Sequence, residues 1–230
     1  MKSFNILLSL IYDFYKNQKY LNDDLENNYK ICQNICRNVI NSCDVPMIVE
    51  GVNNIPDNDT VLIAANHTSF YDIFILISCI NRYMPFAAAS ELMKYPILNK
   101  YINSINCLLI DRNVEDLKLI KKQLLDIEEY LKNGGLILFS EGECNYLDGE
   151  IKPFKKGGFM AASKLDTMIV PTYIKTDKMK KIGKWYIPTE EVKVVFGESF
   201  KPTEVFNGKV NSTKLSKYTR EKVLELKKKA

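Results

Sequence analysis

Apolar positions recur at helical spacing from the start of the chain: Ile6, Leu7, Leu10, Ile11 and Phe14, then Ile31, Ile35 and Val39, with no glycine or proline between residues 3 and 43. A period near 3.6 predicts two helices, parted at Asn22-Asp23-Asp24. The first is apolar along most of one side. Such a face serves equally for packing on a core and for lying in a membrane interface.

After Pro46 the texture changes. MIVEGVNNIP reads as a short strand and turn, VLIAAN (61–66) as a buried strand, and Ser69 through Ile80 as a helix. Further on, DLKLIKKQLLDIEEYLKNGG sets Leu117, Ile120, Leu124, Ile127 and Leu131 on one helical face, with Asn133-Gly134-Gly135 as a stop. LILFS follows at once as an apolar strand, and more strands are predicted over 168–174, 185–188 and 192–197. Strands apolar throughout that alternate with helices predict an α/β fold covered on both faces. The expected architecture is a single domain with a central mostly parallel or mixed sheet flanked by helices, preceded by an N-terminal helical segment. The boundary falls near residue 44: 1–44 as the helical segment, a candidate membrane-interface element, and 45–230 as the α/β domain with a basic C-terminal tail.

Composition narrows the class. With 230 residues, 46% apolar and 26% charged, the chain can bury one sizeable core and is unlike a disordered or fibrous chain. Charge-free runs such as Ser3 to Tyr12 and Ile73 to Asn81 fall short of the roughly 18 to 20 apolar residues of a transmembrane helix. Asp13, Phe14, Tyr15 and Lys16 follow the first run where a secretory signal would have small residues, so no secretory signal is expected. The six cysteines are then read as reduced thiols. Cys32, Cys36 and Cys43 share a helix face but come with no C-x2-C and a single histidine, so they read as a buried stripe and no metal is expected.

Charge is uneven. The net charge is +4, and the last 17 residues alone carry seven Lys/Arg against two Glu. A second cluster, KTDKMKKIGKWY at 175–186, has five lysines against one aspartate. Such clusters suit an anionic membrane surface or phosphate-bearing ligands, or are simply solvated. No nucleic-acid motif accompanies them, so nucleic acid is not an expected partner.

The only histidine stands in VLIAANHTSFYD, just past a strand, where open α/β sheets place their ligands. A neutral imidazole can take a proton from a hydroxyl if a carboxylate fixes its tautomer and steadies the imidazolium. Asp72 can supply that carboxylate. Residues five apart on a regular helix point about 140° apart, so His67 and Asp72 meet only if His67 precedes the helix and leans over its first turn. With 13 Asp in 230 residues the spacing is common by chance, and weight falls on what accompanies it. Arg112 follows a second apolar strand in NSINCLLIDRN, Glu141-Gly142 follows a third in LILFSEGECN, and IKPFKKGGFMAASKL sets lysines around a double glycine that opens a helix. Cationic side chains and free backbone N–H groups at such a place favour phosphate oxygens.

The ordered blocks N-H-x-S-x-x-D, a strand ending in D-R, F-x-E-G, P-F-K-K-G and I-V-P resemble the glycerolipid acyltransferase family that includes the bacterial 1-acyl-glycerol-3-phosphate acyltransferases, over about residues 47 to 200. The resemblance implies an enzyme that moves a fatty acyl group from a thioester, acyl-CoA or acyl carrier protein, to the hydroxyl of lysophosphatidate, without a cofactor. It implies His67 as general base, Asp72 as its orienter, and Arg112, Glu141 and Gly142 in the acceptor site, with Lys155 and Lys156 as further phosphate contacts. It also implies work at the cytoplasmic face of a membrane, peripheral or monotopic. The chain departs from the family pattern at Asn106, where a glycine is usual, and in reading Ser140, Glu143 and Cys144 where the family has F-P-E-G-T-R. Alternatives are a different hydroxyl acceptor, a covalent route through Cys144, and a lipid- or carrier-binding protein of the same fold.

Overall fold

The computed structural model describes residues 11–112, 114–145, 150–176, 178–182, 185–208 and 210–230. Ile6, Leu7 and Leu10 of the first predicted helix, and Lys184 of the second lysine cluster, lie outside the described residues. Residues 11–17 form helix α1. Helix α2 (Leu25–Ser42) starts where the Asp24 carboxylate accepts from the Glu26 and Asn27 N–H groups, two of the donors a helix start leaves without partners. Its buried stripe includes Cys32, Ile35, Cys36 and Val39. Burial pushes the Cys32 thiol up to about 12, so these cysteines act as small apolar fillers.

Five strands form the main sheet: β1 (Met47–Glu50), β2 (Val61–Ala65), and further along the chain β5 (Gly135–Phe139), β6 (Met168–Lys175) and β9 (Val192–Phe196), in the order β1-β9-β6-β2-β5. Strands β5, β2 and β6 run parallel, β9 is antiparallel to β6, and β1 is parallel to β9. The sheet is therefore mixed and mostly parallel. Between β2 and β5 lie α3 (Asp72–Cys79), β3 (Ala87–Ala89), α4 (Pro96–Ser104), β4 (Leu108–Ile110) and α5 (Leu117–Lys132). Strands β3 and β4 pair parallel, and a parallel bridge from Phe86 to Ile137 attaches them beside β5. After β5 come α6 (Lys156–Leu165) and, past β6, the hairpin β7 (Met179–Ile182) and β8 (Trp185–Pro188), then β9, α7 (Pro202–Phe206) and α8 (Ser212–Lys229).

Side chains alternate across a strand, and β2 shows the result. Val61, Ile63 and Ala65 join the core beneath α2, α3 and α4, while Leu62 and Ala64 join the core beneath α5, α6 and α8. Both faces are covered, which is why β2 is apolar at every position and β6 carries only Thr172 and the terminal Lys175 as polar residues. The basic C-terminal stretch is not a free tail: it is α8, which buries Leu215, Thr219 and Val223 on α6 and β6. The apolar face expected along α5 is buried only in its second half, at Ile127 and Leu131, whereas Leu117 is 79% exposed. Among the described residues no helix is long and apolar enough to cross a membrane.

Candidate active site

Four parallel strands end on one edge of the sheet, and the polar clusters picked from sequence lie at those ends. β2 leads into His67, β5 into Glu141, β4 into Arg112 and β6 into Thr176. At the end of β2 the Asn66 side chain extends the ladder. Its Nδ2 donates to the Ile174 carbonyl at 3.0 Å and its Oδ1 accepts from the Ile174 N–H at 2.8 Å. With Asn66 held in that way, the main chain turns away from the sheet one residue before His67.

His67 then precedes α3 and leans back over its first turn. Its Nδ1 lies 2.8 Å from Asp72 Oδ2, the carboxylate of the first residue of α3. The same oxygen accepts from the Thr68 N–H at 2.6 Å and the Ser69 N–H at 2.9 Å. Thr68 Oγ1 adds a longer bond of 3.2 Å to Oδ1, and meets the Thr176 hydroxyl at 2.6 Å. A carboxylate at a helix N-terminus is well placed to accept all of these. Because a carboxylate only accepts, the proton in the contact with His67 sits on Nδ1, and Nε2 keeps its lone pair. The Asp72 side chain is fully buried and that of His67 is 19% exposed, so water and substrate reach the imidazole and not the carboxylate. The imidazole stacks on Phe139, with centroids 4.0 Å apart and planes 15° apart. Ser69 Oγ accepts from the Tyr71 N–H at 2.8 Å and shapes the turn.

The backbone of His67 is held from both sides by the loop after β5. Its N–H donates to Glu141 Oε1 at 2.8 Å, and its carbonyl accepts from the Asn145 N–H at 2.8 Å. The other Glu141 oxygen accepts from the Lys152 N–H at 2.7 Å. Glu141 is thus buried with both oxygens engaged by main-chain donors. Burial pushes its carboxyl above the ordinary glutamate range, outweighing the pull of those donors. One shell further out, Arg220 of α8 donates from Nε to the carbonyls of Ile151 and Lys152 at 3.0 Å each. A path of side-chain-to-main-chain hydrogen bonds, through Arg220 and Glu141, therefore runs from α8 to the histidine.

The remaining residues singled out from sequence are spread along the same edge. Gly142 has φ +74, and a Cβ there would meet Lys155 Cγ at 2.9 Å, so its missing side chain lets the Lys155 stem lie across the loop. Lys155 and Lys156 are exposed at the start of α6. Arg112 is exposed past β4, three strand spacings from β2, on the order of 14 Å. Glu143, the residue of wrong sign for phosphate, lies 3.2 Å from Lys152 Nζ in an exposed pair. The structure brings His67, Asp72 and Glu141 into contact, and sets Gly142 against Lys155. Arg112 and Lys156 share only the edge. Among the described residues no group of three His, Cys, Asp or Glu side chains is disposed to hold a metal ion.

Beneath α3 lies an apolar cavity with about 510 Å³ of unfilled space, part of it open to solvent. Phe14 of α1, Cys32 and Cys36 of α2, Phe70 and Phe74 beside α3, and Ile102 of α4 are among its walls. It begins within a turn of Asp72.

Several of these positions escaped the sequence reading. Asn66 and Phe139 stood in the N-H-x-S-x-x-D and F-x-E-G blocks, but their contacts with Ile174 and with the His67 ring were not read from them. Asn145, Thr176 and Arg220 carry no local pattern that marks them.

The chain is similar to known proteins in sequence and in fold. The family model described as Acyltransferase matches residues 46–175. Among curated proteins, the chain is 28% identical over 137 residues to 1-acyl-sn-glycerol-3-phosphate acyltransferase BAT2, chloroplastic, of Brassica napus, covering 59% of this chain and 39% of that protein. It is 30% identical over 136 residues to a 1-acyl-sn-glycerol-3-phosphate acyltransferase of Chlamydomonas reinhardtii, covering 58% and 40%. The chain therefore matches about two fifths of the length of these curated relatives. Among solved structures, the 1-acyl-sn-glycerophosphate (LPA) acyltransferase PlsC of Thermotoga maritima superposes with a TM-score of 0.75 at 27% identity, over 99% of this chain and 98% of that one. With its family match spanning the strand-end histidine, its aspartate and most of the sheet, the chain belongs to the Acyltransferase family.

Proposed function

We propose that this protein is a 1-acyl-sn-glycerol-3-phosphate acyltransferase, moving a fatty acyl group from a thioester to the free hydroxyl of lysophosphatidate and giving phosphatidate. The observation that carries this reading is the 2.8 Å contact between His67 Nδ1 and the buried Asp72, with the half of the ring bearing Nε2 left for substrate. Nε2 takes the proton of the acceptor hydroxyl while its oxygen attacks the thioester carbonyl, forming the C–O bond. The tetrahedral oxyanion collapses with cleavage of the C–S bond, and the Nε2 proton passes to the departing thiolate. Asp72 holds the tautomer throughout and steadies the imidazolium. Glu141 and Asn145 hold the backbone of His67, so the ring meets the reacting atoms without reorganising.

The apolar cavity beside α3 suits the acyl chain, since it starts near the base and is walled by aromatic and aliphatic side chains. Arg112, Lys155 and Lys156 provide the positive charge for the acceptor phosphate, and Gly142 makes room for the Lys155 stem. A lipid acceptor and a water-soluble thioester meet at a membrane surface. The protein is therefore placed at the cytoplasmic face, bound peripherally or monotopically, with α1, the residues before it and the lysine clusters as its contacts.

The test is thiol release from palmitoyl-CoA and from a palmitoyl carrier protein, with and without lysophosphatidate, for the wild type and His67→Ala. Release that requires the acceptor and disappears in the variant is the expected result, and the better donor identifies itself. Tight binding of the lipid without release from either donor would instead make the chain a binding protein of the same fold.

A further inference from the structure

Helix α5 is longer than its seat. The partners Leu124 and Gly157, where a Cβ would lie 3.7 Å from Leu124 Cδ2, and the 2.7 Å pair Glu128–Lys164 show α5 and α6 running side by side in the same direction. Gly157 is the second residue of α6, so the stretch of α5 from Leu117 to Gln123 extends past the start of its neighbour. At 1.5 Å per residue this overhang is about 10 Å. It begins just after β4, on the edge of the sheet that carries His67 and Arg112.

The overhang is exposed, yet it is not polar. Leu117 is 79% exposed, Leu119 37% and Ile120 36%. Lys118, Lys121 and Lys122 are exposed between them. At about 100° per residue the three apolar side chains and Leu124 fall within one arc of about 160°, and the three lysines within a separate arc of about 100°. Of the acidic residues nearby, Glu115 and Asp116 come before the first turn, where Asp116 caps the Lys118 N–H, and Asp126 and Glu129 follow beyond the overhang. A monomer gains nothing from keeping such a face in water. A helix with one apolar and one lysine face is built to lie in the headgroup layer, apolar side down, with its ammonium groups against anionic headgroups.

We propose that the overhanging end of α5 is a second membrane-docking element, which seats the sheet edge carrying His67 against an anionic lipid surface. The charge pattern selects anionic lipid, and the location selects the edge through which a lipid acceptor would arrive. This inference rests on the proposed action on lipid acceptors, and it adds a contact remote in sequence from the N-terminal helices.

The experiment is co-sedimentation of the full chain with vesicles of phosphatidylcholine containing phosphatidylglycerol, for the wild type, Leu117→Glu with Ile120→Glu, and Lys118→Gln with Lys121→Gln and Lys122→Gln. Each lysine near an anionic surface contributes roughly fivefold in partitioning, so the triple variant is expected to bind on the order of 100-fold less. The glutamate pair is expected to lose at least tenfold. Turnover of a short-chain, monomeric acceptor should be unchanged in both variants. Sedimentation equal to wild type in both variants overturns the proposal. So does wild-type self-association that the glutamate pair abolishes without affecting vesicle binding, since the face then belongs to a second copy. Loss of vesicle binding in the variants of a chain that transfers no acyl group to any acceptor sustains the docking surface and sinks the acyltransferase reading.

Discussion

Replacing Glu141 by glutamine keeps the shape of the side chain but removes its charge and one acceptor from the loop that holds His67. The wild-type carboxylate meets two main-chain N–H groups, at 2.8 Å from His67 and 2.7 Å from Lys152. A glutamine oxygen serves one, and its NH2 faces the other, donor against donor. A charge-assisted bond of this kind is worth about 1.5 to 3 kcal/mol. Burial nonetheless raises the Glu141 carboxyl above its ordinary value of 4.5, so the cost of burying the charge exceeds what the donors return. The two effects nearly offset, and the variant should unfold within about 1 kcal/mol of wild type at neutral pH, roughly 2 to 4 °C in Tm. The sign follows from linkage. A raised carboxyl stabilises the fold fully below the unfolded value and loses that contribution as pH rises through the folded value, so wild type should weaken relative to the glutamine variant upward from about pH 4.5. Activity should behave differently. Displacing the His67 backbone and removing a nearby negative charge that favours the imidazolium should lower kcat about 10- to 100-fold, or about 1.4 to 2.7 kcal/mol. KM for lysophosphatidate should move less than about threefold. Steady-state kinetics beside thermal unfolding decide the matter. A raised KM with kcat intact would refute the reasoning and put Glu141 on the acceptor.

Asp72→Asn should cost about 10³-fold or more in kcat, because the amide no longer enforces Nδ1–H, and stopped assays of acceptor-dependent thiol release will show it. Gly142→Ala forces a side chain onto φ +74 and against Lys155, so we expect a loss of about 1 to 2 kcal/mol in denaturant melts and a higher KM for the phosphate-bearing acceptor. Arg220→Met releases the Ile151 and Lys152 carbonyls that support Glu141, so kcat should fall several-fold with vesicle binding unchanged, and Arg220→Lys should recover part of it. Cys144→Ser should turn over like wild type. A dead serine variant that still folds would establish the covalent route.

The parts of this protein legible in its sequence are those fixed by local pattern. Val61–Ala65, Gly135–Phe139 and Met168–Lys175 were readable as strands because burial on both faces leaves them almost wholly apolar, Thr172 and Lys175 apart. The stop of α5 at Asn133 and Gly134 was readable because a chain that leaves a helix at φ +126 needs glycine. The His67–Asp72 contact could be anticipated from a strand end and a helix start. Helix α4 was missed although proline at its first position and Ile97, Leu98, Tyr101 and Ile102 at helical spacing mark it, and β3 because three alanines favour no strand. Helix α8 was hidden by its lysines, whose charge drew attention away from Leu215, Thr219 and Val223. Glu141 was marked by the F-x-E-G block, but that its carboxylate holds the His67 N–H was not, and the bond from the Asn145 N–H to the His67 carbonyl uses main-chain atoms that every residue has.

The edge strand β1 sets an order of events in time. Among the described residues it hydrogen-bonds within the sheet only to β9, with Met47 opposite Val192, so this neighbour leaves the ribosome long after β1 itself. Strands β2, β5 and β6 need nothing beyond residue 175 to pair, and can assemble the catalytic edge while β1 still waits. Pairing across so much chain is slow to find, and an unpaired strand invites the wrong partner. A chain cut between β6 and β9 would keep every residue assigned to catalysis in the first three blocks and yet carry an open edge. Its failure would then appear as aggregation during synthesis, before any loss of chemistry could be measured.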